Sequence, residues 1–496
     1  MVFFVWKRSR VVKRKIIIII LTLMISLSIV KLYQTYAISS SVAEDNDDYI
    51  VSLNGNTSVT VPAGSSKTVY YKIRNTNNGT VRYGVGYKST NIIVKVYFDS
   101  ESSGMGLISK EENKFIKLYL ENTSSASETI DLITILGYEN GGDLIVPSGY
   151  NLVTMVLPPS NFTKYITWLY ESNIKAETLT NDNIKYNFAK SVNLMNDRLG
   201  SSSVGLNDGN IRYYGANPNN YIYFNCSDYS NQTSSTCEVW RIIGVFGGKV
   251  KIMRNESIGA YSWDNKTTST GAENNNGKND WTTARLMKLL NPSDYYVVDS
   301  NDNGNGQSLY WNAKGGTCFS GQSNATTSCD FTSIGLKNDI TRSLISEETF
   351  FIRGFDEITI FQSKAYTIER ETGTVYNNTR PLTWKGKIAL VYPSDYGYAA
   401  DITECGAYLS AYGSCASYNW MSNIFINNTS NRGWLLTPSS GHSYYAVFIS
   451  DTARINYDFG AYPSYGVVPT LYLSSDVKLD LTTDGSANNP YKLIIS

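Results

Sequence analysis

Residues 434–473 read WLLTPSSGHSYYAVFISDTARINYDFGAYPSYGVVPTLYL. Trp434 opens the stretch, and Val467, Val468, Leu471 and Leu473 close it as an apolar run. The middle is dense in Tyr, Ser, Gly and Asn. Such a loop between two core-forming strands has the composition of a recognition surface, because tyrosine offers a large amphipathic contact area at little entropic cost. We read the stretch as a closing hairpin whose candidate ligand contacts are Trp434, Tyr444, Tyr445, Asn456, Tyr457, Asp458, Tyr462 and Tyr465.

Upstream of it lie the six cysteines, in three local pairs: Cys226 with Cys237, Cys318 with Cys329, and Cys405 with Cys415. Nearest-neighbour disulfides are the expected pairing in an exported chain. No Cys-x-x-Cys occurs, so the spacing does not suit zinc. Between the pairs, Trp240–Phe246, Gly247-Gly248 and the strand from Lys249 form a predicted hairpin, since glycine supplies positive φ cheaply. Helices are predicted at Trp281–Leu290, stopped by Asn291-Pro292, and near Asp339–Glu348. Another strand is expected from Lys387 to Tyr392.

Further towards the amino terminus, residues 46–158 alternate apolar and polar side chains in short runs such as TVYYKIR (68–74), separated by turn residues. That pattern predicts an antiparallel sandwich, with an immunoglobulin-like spacer as the natural form. Pro158-Pro159 ends it. Apolar spacings of three and four residues in 165–172 and 183–199 then predict short helices, making 159–206 a helical connector.

The first 37 residues hold Lys7, Arg8, Arg10, Lys13, Arg14, Lys15 and Lys31 but no acid, around the apolar run Ile16–Val30. This is the anatomy of a signal peptide cleaved after Ala37, or of a retained membrane anchor, with everything beyond it exported. The chain carries 43 basic and 43 acidic residues, so the body without that cluster is acidic, which argues against a nucleic-acid partner. Only one histidine is present, His442, in a Gly/Ser context that reads as an exposed loop. A single-chain zinc site needing two histidines is excluded.

NIRYYGANPNNYIYF (210–224), WRIIGVF (240–246), NDWTTARLMKLLN (279–291), GKIALVYPSDYGYA (386–399) and the ending YGVVPTLYL together resemble surface proteins of Gram-positive gut bacteria. The resemblance covers about 207–476. It implies a C-type-lectin-like layout, shared with formylglycine-generating-enzyme-like domains and with variable receptor-binding proteins of some phages. The family's ending commonly reads Gly-Val-Arg-Pro-Val, whereas Val468 and Thr470 stand in the Arg and second Val places here. The oxygenase activity of the formylglycine-generating branch needs a reactive cysteine pair beyond the three local ones, so it is not carried over.

Two other constellations carry chemistry. Asp299, Asn301 and Asn303, followed by Gly304, match the first half of a calcium loop, but its twelfth position is Tyr310 rather than Glu. A polar turn is the competing reading, and no other cofactor is expected. Asp395, Asp401 and Glu404 are close in sequence, and a glycosidase would need two carboxylates facing each other across a bond. The expectation is a multidomain protein: a signal or anchor helix (1–37), an antiparallel immunoglobulin-like β-sandwich (46–158), the connector (159–206), and a disulfide-bearing α+β C-type-lectin-like domain (207–496). Its expected work is binding or adhesion to a protein or glycan outside the cell. An extracellular carbohydrate-active hydrolase and a structural envelope protein are the alternatives.

Overall fold

The computed structural model describes residues 51–52, 58–75, 79–88, 91–98, 104–137, 144–174, 178–181, 184–199, 209–266, 270–271, 275–298, 308–372, 380–427, 431–458 and 460–495. The expected export segment and the calcium candidates Asp299, Asn301 and Asn303 lie outside them. Among the described residues no helix is long and apolar enough to cross a membrane. The protein is mostly β-sheet, and it divides into two compact units, Met1–Pro159 and Ser160–Ser496.

Unit 1 is built from two sheets around one core. The first runs in the order Val51–Ser52, Ser66–Asn75, Asn113–Asn122, Ile92–Tyr97 and Met155–Leu157; the second has Ser58–Val61, Glu128–Gly137, Val81–Tyr87 and Met105–Ile108. Val69, Tyr71 and Ile73 are buried on alternate positions and meet Val59, Val61 and Ile130 in the same core. Period-two alternation therefore sets the register, since a one-residue slip would turn this face to water. Pairing is antiparallel except where Met155–Leu157 runs parallel to Ile92–Tyr97.

Unit 2 opens with the helix Phe162–Asn173, capped by Asn161, whose side chain accepts from the Lys164 amide, and buried through Phe162, Ile166 and Tyr170. Beyond it, the described part of the expected helical connector holds the strands Thr178–Asn181, Ile184–Ala189 and Leu194–Leu199. Ile184–Ala189 and Leu194–Leu199 pair with each other and join a nine-stranded sheet. The spacing of Ile184 and Phe188 suits a helix as well as a strand, but Tyr186 between them is buried too, and only period two puts all three on one face.

Across that sheet the order is Thr178–Asn181, Ile184–Ala189, Leu194–Leu199, Asn210–Tyr213, Glu238–Phe246, Lys249–Arg254, Thr470–Tyr472 and Ile388–Ala389, with Tyr221–Phe224 paired to Glu238–Phe246. The Gly247-Gly248 turn forms as expected, both residues at positive φ. A bulge follows Ile242, and there Gly244 admits the neighbouring strand, because a Cβ would stand 2.1 Å from the Ile211 carbonyl oxygen. Of the predicted helices, Trp281–Leu290 shortens to Arg285–Leu290 and Asp339–Glu348 to Asp339–Ser343. In the second, Glu348 already belongs to the strand Glu348–Phe351.

Residues 434–473 are not a single hairpin. Gly433–Pro438, Ala446–Ile449 and Ile455–Asp458 form a meander, and Ser464–Gly466 returns parallel to the first of them at Gly433. Thr470–Tyr472 then crosses into the nine-stranded sheet. Pro469, which has no N–H to donate, stands at the crossing, where its carbonyl accepts from the Arg254 amide. The three disulfides pair as expected: Cys226–Cys237, Cys318–Cys329 and Cys405–Cys415.

Candidate functional site

The tyrosine-rich stretch divides on folding. Trp434 is fully buried, its indole N–H donating to the Tyr261 carbonyl at 3.0 Å, and Tyr465 packs on it with ring centres 4.5 Å apart. Burial removes both from any contact surface, which corrects their reading as ligand contacts. Their large apolar area made them core residues, packed together with Phe448 of the same five-stranded sheet. Tyr457 is half-buried, with its hydroxyl enclosed and without a hydrogen-bond partner among the described residues; burial, reinforced by Asp356 and Glu357, pushes that hydroxyl up. Tyr462 lies under Lys266, 5.1 Å from ring centre to Nζ. Asn456 is exposed beside Tyr457 in the strand Ile455–Asp458, which Asp458 ends. Tyr444 and Tyr445 do come together, with His442 stacked on Tyr445 at 4.0 Å.

His442 belongs to a small polar knot. Ser439, buried, donates to Asp356 and lies 3.2 Å from His442 Nδ1. Here the serine sits between the other two, whereas a catalytic triad places the histidine between serine and acid. Ser439 Oγ also accepts from the Gly441 and His442 amides, so it closes the turn.

The acids Asp395, Asp401 and Glu404 are not assembled into a catalytic pair. Asp395 is buried and bridges two cations, Arg212 (2.8 Å) and Lys251. Burial alone would raise its carboxyl, but Lys251 and Arg212 outweigh it and hold the group below the usual range. Arg212 reaches Asp197 as well, at 2.7 Å. Asp401 accepts from the Thr403 amide and hydroxyl, and Glu404 is exposed. Next to the network, Glu369 accepts from Ser394, and burial pushes it up to about 7 despite Arg370. Among the described residues no three His, Cys, Asp or Glu side chains are grouped to hold a metal.

Unit 2 does carry an open groove of about 640 Å³, lined by Asn217, Tyr221, Arg241, Asn255, Glu256, Trp420, Asn423 and their neighbours. Its floor follows from strand register. Tyr221 stands opposite Arg241 in the pairing of Tyr221–Phe224 with Glu238–Phe246, and the guanidinium lies 3.7 Å from the ring centre. Trp420 approaches the same guanidinium, at 4.8 Å. The indole is held by hydrogen bonds from its backbone N–H to the Gly215 carbonyl and from Nε1 to the Tyr213 carbonyl. It stands two residues beyond the 3-10 segment Leu409–Tyr418, which the Cys405–Cys415 bridge pins.

Arg241 is only 4% exposed, and its Nε donates to Asn220 Oδ1 at 2.6 Å. Among the described residues no carboxylate pairs with it. Burial lowers its pKa to about 10, which leaves the group charged at neutral pH. The two rings supply a partial counter-field, worth about 0.5–2 kcal/mol per cation–π contact. Sequence reasoning passed over this site. The available signal was an arginine inside the otherwise apolar run Trp240–Phe246, together with asparagines at 217, 423 and 427. Their convergence depends on pairings far apart in the chain. No protein-family model matches the sequence, and no curated protein matches it.

Proposed function

We propose that this is an exported, surface-displayed binding protein that recognises a glycan or protein through unit 2. The single observation carrying the reading is the groove: an open concavity with aromatic and side-chain amide walls on a disulfide-pinned scaffold, the usual make-up of a recognition site. Among the described residues its only acid is Glu256, and a glycosidase of the common kind needs two carboxyl groups across the bond. Binding therefore fits the groove better than hydrolysis. Three disulfides are compatible with an oxidising exterior. Within this reading unit 1 is an immunoglobulin-like spacer, unit 2 is C-type-lectin-like, and the amino-terminal segment supplies export or a membrane anchor.

The test is an array of glycans and purified surface proteins probed with the oxidised full chain, with product release measured in parallel for each glycan retained. Saturable retention without product supports the proposal. Turnover that disappears in Glu256→Gln would assign a hydrolase instead, and no retention at all would favour the structural envelope reading.

A further inference from the structure

We propose that the groove binds an acidic saccharide, whose carboxylate pairs with the Arg241 guanidinium while its ring hydroxyls pair with the surrounding side-chain amides. The inference rests on the groove being the binding site and adds the ligand's chemistry. Of the buried cations, Arg212, Lys251 and Arg254 each have a carboxylate of this chain, respectively Asp197 with Asp395, Asp395, and Glu238, while Arg380 has both terminal nitrogens taken up by Asn279 and the Arg353 and Ser439 carbonyls. Arg241 is as deeply buried and, among the described residues, has no carboxylate. Its Nε is used by Asn220 and one terminal nitrogen reaches the Pro218 carbonyl at 3.5 Å, so part of the donor fork is left for a planar anion.

The walls narrow the choice. Tyr221 donates its hydroxyl to Asn217 Oδ1 at 2.7 Å, which leaves the Asn217 amide N–H groups to donate elsewhere. Asn255 and Asn423 add neutral amides that both donate and accept, the complement of vicinal hydroxyls. One cation among neutral amides suits a singly charged carboxylate better than a phosphate or a run of acidic side chains, each of which would call for further positive charge. Glu256 is exposed, where water and salt screen its repulsion of a bound anion.

The experiment is calorimetric titration of the oxidised full chain with three acidic probes: an oligogalacturonide, a hyaluronan tetrasaccharide and sialyllactose. Their carboxyl-reduced forms and a pentaglutamate peptide serve as controls. At least one acidic saccharide should bind. Reducing its carboxyl, or Arg241→Gln, should weaken binding at least tenfold, Arg241→Lys less, and Asn423→Ala several-fold, with circular dichroism unchanged. Equal binding of reduced and acidic forms, or undiminished binding by Arg241→Gln, overturns the anion inference; if Asn423→Ala still weakens binding, the groove reading survives. Tighter binding of pentaglutamate than of any saccharide overturns the inference, as does failure of all three acidic probes at millimolar concentration. Should Arg241→Gln fail to fold, the reduced probes on the parent chain decide the matter.

Discussion

Arg241 and Tyr221 face each other across two antiparallel strands with guanidinium and ring centre 3.7 Å apart, and the cation has no carboxylate partner among the described residues. Asp395 is the opposite case, a buried acid between two cations. The contrast separates a charge kept for a ligand from charges that hold the fold.

Stability should report that difference. Asp395→Asn leaves Lys251 buried with its charge uncompensated and Arg212 with Asp197 alone, and should cost about 3–5 kcal/mol. Arg241→Met removes a buried charge that has no acidic partner and retains apolar contact with both rings. It should shift stability by less than about 1 kcal/mol while binding is lost. Urea unfolding of the two variants beside the parent measures both.

Glu369 gives a pH signature. Its folded pKa of about 7 lies above its ordinary 4.5, so the native state holds the proton more tightly. The contribution is fully present below pH 4.5, declines as pH rises, and is lost above about 7, a loss on the order of 3 kcal/mol. Glu369→Gln should remove this slope, gaining on the parent between pH 5 and 8. Urea midpoints across that range check it, and parallel curves for the two proteins would refute it.

Trp434 and Tyr444 come from the same quoted stretch and should behave differently. Trp434→Ala empties a fully buried site and should cost about 3–5 kcal/mol. Tyr444→Ala, partly exposed, should cost under about 1 kcal/mol. Thermal melts of both variants test this.

The Cys405–Cys415 bridge constrains the chain shortly before Trp420. Replacing both cysteines by serine should cost about 2–3 kcal/mol, the scale for closing a short loop. It should also weaken ligand binding by freeing Trp420, which titration of the variant at low temperature would show.

Much of the fold was legible where local chemistry decides it. The strands of unit 1, the Gly247-Gly248 turn and the three disulfides follow from alternation, positive φ and short loop closure. Residues 184–199 were misread because Ile184 and Phe188 fit both periods until the burial of Tyr186 settles which face is inside. The candidate site was less legible. Composition marks tyrosine-rich stretches but not which rings become core, and Trp434 went inside against Phe448 and Tyr465. The groove joins residues from 216 to 427, and its key contact depends on the opposition of Tyr221 and Arg241, which no local pattern announces.

The central claim is that binding occurs in the groove, and it is tested most directly by plugging it. Asn423 is exposed and lines the groove, so Asn423→Trp should fill space without disturbing the core. Against a glycan or protein retained by the parent chain, the account predicts at least a tenfold loss of affinity for Asn423→Trp, with parental affinity kept by Tyr444→Ala. Undiminished binding by Asn423→Trp, together with loss in Tyr444→Ala, would contradict it and place recognition on the tyrosine-rich stretch.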